Sequence, residues 1–169
     1  MPSARRSRLP RCITLLPLAG LLLTASPAQA KDLGNRFALG ANMHLGSVPA
    51  LSVRYGLPTG NPAVNIQVEA AAGFWTVSNS KADAVAAGRV LYGVVAEDNM
   101  NLFLGAGAGA NVTAGVANFR VQPVMGADFF FFGLENLGFT AEWGVNVDVG
   151  GSTTAGTSAS LGGGVHYWF

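Results

Sequence analysis

An all-β fold, eight antiparallel strands closed into an up-and-down barrel, is what this sequence predicts, and three observations carry the prediction. Apolar residues recur at every second position in eight separate segments, while no stretch beyond residue 35 holds a run of helical periodicity. Glycine accounts for 23 of the 169 residues and only 11% are charged, a composition odd for a surface bathed in water but reasonable for a sheet facing lipid. The final stretch, 157–169, reads T-S-A-S-L-G-G-G-V-H-Y-W-F. It sets Leu161, Val165, Tyr167 and Phe169 on one face and Ser158, Ser160, His166 and Trp168 on the other. A chain end in water cannot shelter such an aromatic belt, whereas a bilayer can. The fold class is therefore an eight-stranded antiparallel transmembrane β-barrel.

The chain begins with a basic head (Arg5, Arg6, Arg8, Arg11), an apolar run over 13–25 and the small-residue ending Ala28-Gln29-Ala30. This is the pattern of a secretory signal peptide over 1–30, and the apolar run is too short to span a bilayer. The only cysteine, Cys12, precedes that run, so it cannot be a lipoprotein's acylation site. The remainder, 31–169, is expected to be one membrane β-barrel domain with no cysteine, held by its core or by sheet closure rather than by disulfides. It carries six basic against nine acidic residues, a net charge of −3, which argues against nucleic acid as a partner.

The strands follow in order. Segment 36–45 sets Phe37, Leu39, Ala41, Met43 and Leu45 outward, and 50–57 does the same with Leu51, Val53, Tyr55 and Leu57. Segment 64–75 opposes Val64, Ile66, Val68 and Phe74 to Asn65, Gln67, Glu69 and Gly73. Alternation is weakest in 88–96, where Val90, Tyr92 and Val94 oppose Arg89, Leu91, Gly93 and Val95. Segment 101–111 turns Leu102, Leu104, Ala106 and Ala108 out and Asn101, Phe103, Gly105 and Gly107 in. Segments 119–131 and 137–149 turn in Arg120, Gln122, Asp128, Thr140, Glu142, Asn146 and Asp148. Proline 123 fits its segment poorly, because a closed sheet needs the N–H it lacks. Short turns at 58–62, 97–100 and 133–136 alternate with longer connections at 76–87, 112–118 and 150–156, the asymmetry of a barrel with turns on one side of a membrane and loops on the other. The first loop, 46–49, is the tight exception. With the termini on the turn side, Phe37, Tyr55, Phe129, Phe131, Phe139, Tyr167 and Phe169 gather there as one aromatic girdle.

The last strand resembles the C-terminal strand of bacterial outer-membrane β-barrels, with Phe169 as the final aromatic, Tyr167 two before it and Gly164 three further back. Gly162 stands where that pattern usually has a polar residue. The resemblance implies that the barrel-assembly machinery reads Gly164, Tyr167 and Phe169. The mature chain as a whole is similar in pattern to the small eight-stranded type represented by the OmpA transmembrane domain and OmpX. That implies an outer-membrane location, membrane lipid as the surrounding partner, a monomer, and no cofactor or metal.

The inward face bears on function. Arg36, Arg54, Arg89 and Arg120 point in with Glu69, Asp128, Glu142 and Asp148, equal numbers of each sign. Ions in so narrow an interior must be paired or wetted, so a packed lumen is expected. Counting from the turn centres places Arg120 opposite Asp148 near the loop rim and Arg54 opposite Glu69 at mid-depth. A structural or anchoring barrel whose loops carry any recognition is the expected function, and no catalytic residue is assigned. The alternatives are a narrow passive pore and a lipid A-modifying enzyme, for which His44 and Ser47 near the loop rim are the candidates. His166 is expected to be a lumen hydrogen-bonding group. A soluble barrel with an apolar cavity would reverse the two faces. The terminal pattern makes a direct prediction: Tyr167→Ala with Phe169→Ala should lower the amount of assembled barrel more than Trp168→Ala does, read by heat-modified gel mobility of membrane fractions. Equal amounts across these variants would remove the terminal aromatics from the assembly signal.

Overall fold

The computed structural model describes residues 31–43, 48–61, 64–76, 81–150 and 156–169. The leader expected over 1–30, and with it Cys12, lies outside these residues, as do His44 and Ser47. Eight strands follow one another as β1 (Phe37–Asn42), β2 (Ala50–Gly56), β3 (Asn65–Trp75), β4 (Asp83–Glu97), β5 (Met100–Thr113), β6 (Val116–Phe130), β7 (Leu137–Gly150) and β8 (Gly156–Trp168). Each pairs antiparallel with its sequence neighbour, and β8 returns to β1 through Ala38 opposite Trp168 and Asn42 opposite Gly164. The sheet is a closed up-and-down barrel, so every strand has a partner on both sides.

Alternation decides which face each residue takes. In β2, Ser52 and Arg54 are buried while Leu51, Val53 and Tyr55 are exposed. Leu102 and Leu104 of β5 point out, with Asn101 and Phe103 buried between them. The result inverts the usual distribution. Arg54, Glu69, Arg89, Asp128 and Glu142 are buried, whereas Leu51 is 77% and Leu161 85% exposed.

The strands depart from the predicted bounds in ways the backbone explains. β4 starts at Asp83 rather than at 88, because Ala84, Ala86 and Gly88 pair with Val112, Ala110 and Ala108 of β5. The connection expected over 112–118 shrinks to the two residues Ala114 and Gly115, whose positive φ angles of 52° and 79° are those of a tight hairpin turn that matches the right-handed twist of its strands. The weak alternation of β4 is a bulge: the register shifts between Gly93 and Val95, and Val94 and Val95 both face out. Val95, expected inward, is thereby moved to the outer face. β1 is shorter than predicted, ending at Asn42. Around Pro123 the ladder to β7 is interrupted, with pairing resuming at Val124 opposite Gly144 in unchanged register. The proline costs ladder bonds, not alignment.

Three apolar clusters fill the lumen between its polar groups. Leu33, Ala38, Phe130 and Trp168 close the end that carries Lys31 and Phe169, the terminal end, and Val48, Ala50 and Val85 lie toward the loop end. Leu91, Phe103 and Val124 form the third. Leu33 belongs to the segment preceding β1, which crosses beneath the barrel: Asn35 N–H donates to Gly56 O and Lys31 N–H to Glu97 O. On the outside of the same end the aromatics touch one another, Phe37 to Phe169 at 6.1 Å, Tyr167 to Phe169 at 5.0 Å and Phe131 to Phe139 at 5.2 Å between ring centroids. A sheet with no free edge resists detergent until it is heated. Unheated and boiled samples of this chain should therefore migrate differently in detergent gels, and one common mobility would mean that the sheet opens readily.

Candidate functional site

The polar groups of the inner face converge on Glu69. Arg54, Glu69 and Arg89 form a row across three adjacent strands, since Arg54 is opposite Glu69 and Glu69 is opposite Arg89. Glu69 Oε2 accepts from Arg54 Nε at 2.9 Å and from Arg89 Nε at 2.7 Å. Its Oε1 accepts from the Asn42 amide. Both arginines then reach across the lumen. Arg54 Nη1 donates to Asp128 Oδ1 of β6 at 2.9 Å, and Arg89 Nη1 to Glu142 of β7 at 2.7 and 2.9 Å. Thr140 Oγ1 donates to Asp128 Oδ1 at 2.6 Å. These five ionic side chains are 1–2% exposed where they pair, so each charge depends on its partners rather than on water.

A second pair stands apart near the loop end. Arg120 and Asp148 are directly opposed in register and joined by two bonds of 2.6 and 2.8 Å. They are partly solvated, at 14% and 29% exposed. Between this pair and the central network, Gln122 Nε2 donates to Asn146 Oδ1 at 2.8 Å and to Ser160 Oγ at 2.9 Å.

Seven of the eight predicted lumen charges therefore line the interior: Arg54, Glu69, Arg89, Arg120, Asp128, Glu142 and Asp148. Arg36 does not. It precedes β1, lies half-buried at the terminal rim, and donates to Asn136 Oδ1 at 2.7 Å and to the main-chain oxygens of Trp168 and Phe169 at 3.1 and 3.4 Å. Because β1 starts at Phe37, parity no longer carries position 36 into the lumen, and the expected equality of inward charges becomes three arginines against four carboxylates. Gly164 sits opposite Asn42 and Thr140 on the inner face, while Tyr167 and Phe169 are on the outer one.

His166 is a hydrogen-bonding group of the lumen. Its Nε2 lies 2.5 Å from Ser52 Oγ and 3.6 Å from Glu69 Oε1, and its Nδ1 has no partner. A hydrolytic triad needs the acid on the nitrogen away from the serine; here serine and glutamate approach the same nitrogen, and His166 and Ser52 are 1% and 2% exposed. Asn42, Ser52, Gln67 and Thr140 belong to the network without having been singled out from the sequence. Their inward parity was readable, but the contacts of Asn42, Ser52 and Gln67 cross between strands that are not neighbours, whereas Thr140 bonds its own register partner Asp128.

Removing the shared carboxylate tests the network. Glu69→Ala leaves Arg54 and Arg89 each short of a partner and should cost about 3–5 kcal/mol of unfolding free energy, as losing one member of a buried ionic group does. A urea midpoint unchanged in detergent would mean that water or Glu142 takes over. No protein-family model, curated protein or solved structure matches this chain.

Proposed function

We propose that this chain is an integral barrel of the bacterial outer membrane, of the small OmpA and OmpX type, with a structural or anchoring role and any recognition left to its loops. The observation that carries the proposal is the inversion of polarity: apolar and aromatic side chains cover the outside of a closed barrel whose ions are buried and paired within. In water such a surface would be unstable, and a bilayer matches it. A soluble barrel with an apolar cavity would carry these two faces the other way round. The aromatic contacts at the terminal end support a girdle at one membrane interface, with the termini on the periplasmic side. Strands β4 to β8, each of 13 to 15 residues, are long enough to cross the apolar layer at a tilt.

Support for the structural role over a pore comes from the lumen. Apolar clusters lie toward both ends and ion pairs bridge opposite walls between them. Dehydrated and paired charges offer a passing ion no continuous wet path. Two measurements test the proposal. The chain should be recovered with outer membranes and released only by detergent, and the purified barrel should give no stable conductance in planar bilayers. Recovery in the soluble periplasmic fraction would end the membrane assignment; a steady open channel would end the sealed lumen.

A further inference from the structure

Next to the Arg54–Glu69–Arg89 row, toward the terminal end, the lumen is lined by polar atoms that meet no protein partner. Asn101 and Asn65 are 1% and 5% exposed, and neither amide has a hydrogen bond at its oxygen or its nitrogen. Gln67 is equally buried, has no partner at Oε1, and donates from Nε2 to Asp128 Oδ2 over a long 3.4 Å. The register gathers these groups. Asn101 is directly opposite Asp128, which puts their Cβ atoms ~5 Å apart, and Asn65 precedes Gln67 by two positions on the same inner face. Buried amides without partners are rare and call for a ligand or water.

Charge decides between the two. Arg54 and Arg89 face Glu69, Asp128 and Glu142, so the central network holds one negative charge in excess. Arg120 is committed to Asp148 at the other end, and Lys31 sits at the rim with its Nζ over the Phe130 ring. His166 could supply a positive charge only by burying an Nδ1–H with no acceptor, which favours the neutral ring. The carboxylate oxygen least satisfied is Asp128 Oδ2. Its companion Oδ1 takes Arg54 and Thr140, whereas Oδ2 receives only the long Gln67 contact. Water would satisfy the amides and leave the charge. A cation balances the charge and also takes the amide oxygens, because side-chain amides can turn their oxygens toward it and hard cations take carboxylate and amide oxygens together. A divalent ion is less suited: among the described residues no group of three His, Cys, Asp or Glu is placed to hold a metal ion.

We propose that Asp128, with the amide oxygens of Gln67, Asn101 and Asn65, holds a monovalent cation of the size of sodium in the terminal half of the lumen and so neutralises the central network. The inference rests on the lumen and is independent of the membrane assignment. It is tested by unfolding the purified barrel in urea and refolding it, in sodium chloride and in choline chloride of equal ionic strength. The midpoint should be higher in sodium, rise with the logarithm of its concentration, and lose that dependence in both Asn101→Leu and Asp128→Asn. Equal midpoints of the unmodified protein in the two salts overturn the site, as does a sodium dependence that survives both substitutions. A midpoint that moves with pH but not with sodium assigns the neutralising charge to a bound proton and equally overturns the site. Crystals grown in thallium(I) give a readout that needs no variant: an anomalous peak beside Asp128 is expected, and its absence counts against the cation.

Discussion

The carboxylate of Glu69 is the group on which the interior depends. Cross-strand register sets it between Arg54 and Arg89, and Asn42 of β1 adds a third donor. Through the far ends of the two arginines it is tied to Asp128 on β6 and Glu142 on β7. A single anion thus links neighbouring strands on one wall to the opposite wall. Dehydrating five charges costs several kcal/mol per ion, which is recovered only when geometry and hydrogen bonding are both good. That requirement restricts the barrel to a register in which the row 54–69–89 is level, since a slip of one residue would turn every one of these side chains toward the outside.

Room for such bulky groups comes from what stands beside them. Arg89 is opposite Gly107, Glu142 is opposite both Gly126 and Gly162, and His166 is opposite both Gly40 and Gly138. A Cβ on Gly126 would meet Glu142 Cβ at 2.7 Å and the Phe103 ring at 2.8 Å, closer than real Cβ contacts come. Small residues set against large ones are how an eight-stranded barrel fills its interior. The high glycine content therefore serves packing inside the barrel as much as turns at its ends. Bulk on the outside is not limited in that way, and at the terminal end the outer aromatics touch one another.

Strand existence and facing were legible in the sequence, and so was the register of two hairpins, with the pairs Arg54–Glu69 and Arg120–Asp148. Side chains of a strand alternate with a period of two, and hairpin partners lie at equal distances from a turn centre, so both follow from local counting. Counting failed where the backbone departed from its ideal. The bulge near Val94 moved Val95 outward, the two-residue turn at Ala114 and Gly115 converted an expected loop into strand, and the start of β1 at Phe37 left Arg36 on the rim.

What only the tertiary structure decided is who meets whom across the lumen. Arg54 with Asp128, Arg89 with Glu142, and Ser52 with His166 join strands that are not neighbours. No turn centre relates such positions; their meeting depends on the closure of β8 onto β1 and on the reach of each side chain into the shared interior. The sequence by itself determined a barrel wall, apolar without and polar within, because alternation is a property of the chain. The excess negative charge of the central network and the unpartnered amides beside it belong to the closed barrel, because only closure brings distant strands to one axis and removes the water that would otherwise satisfy them.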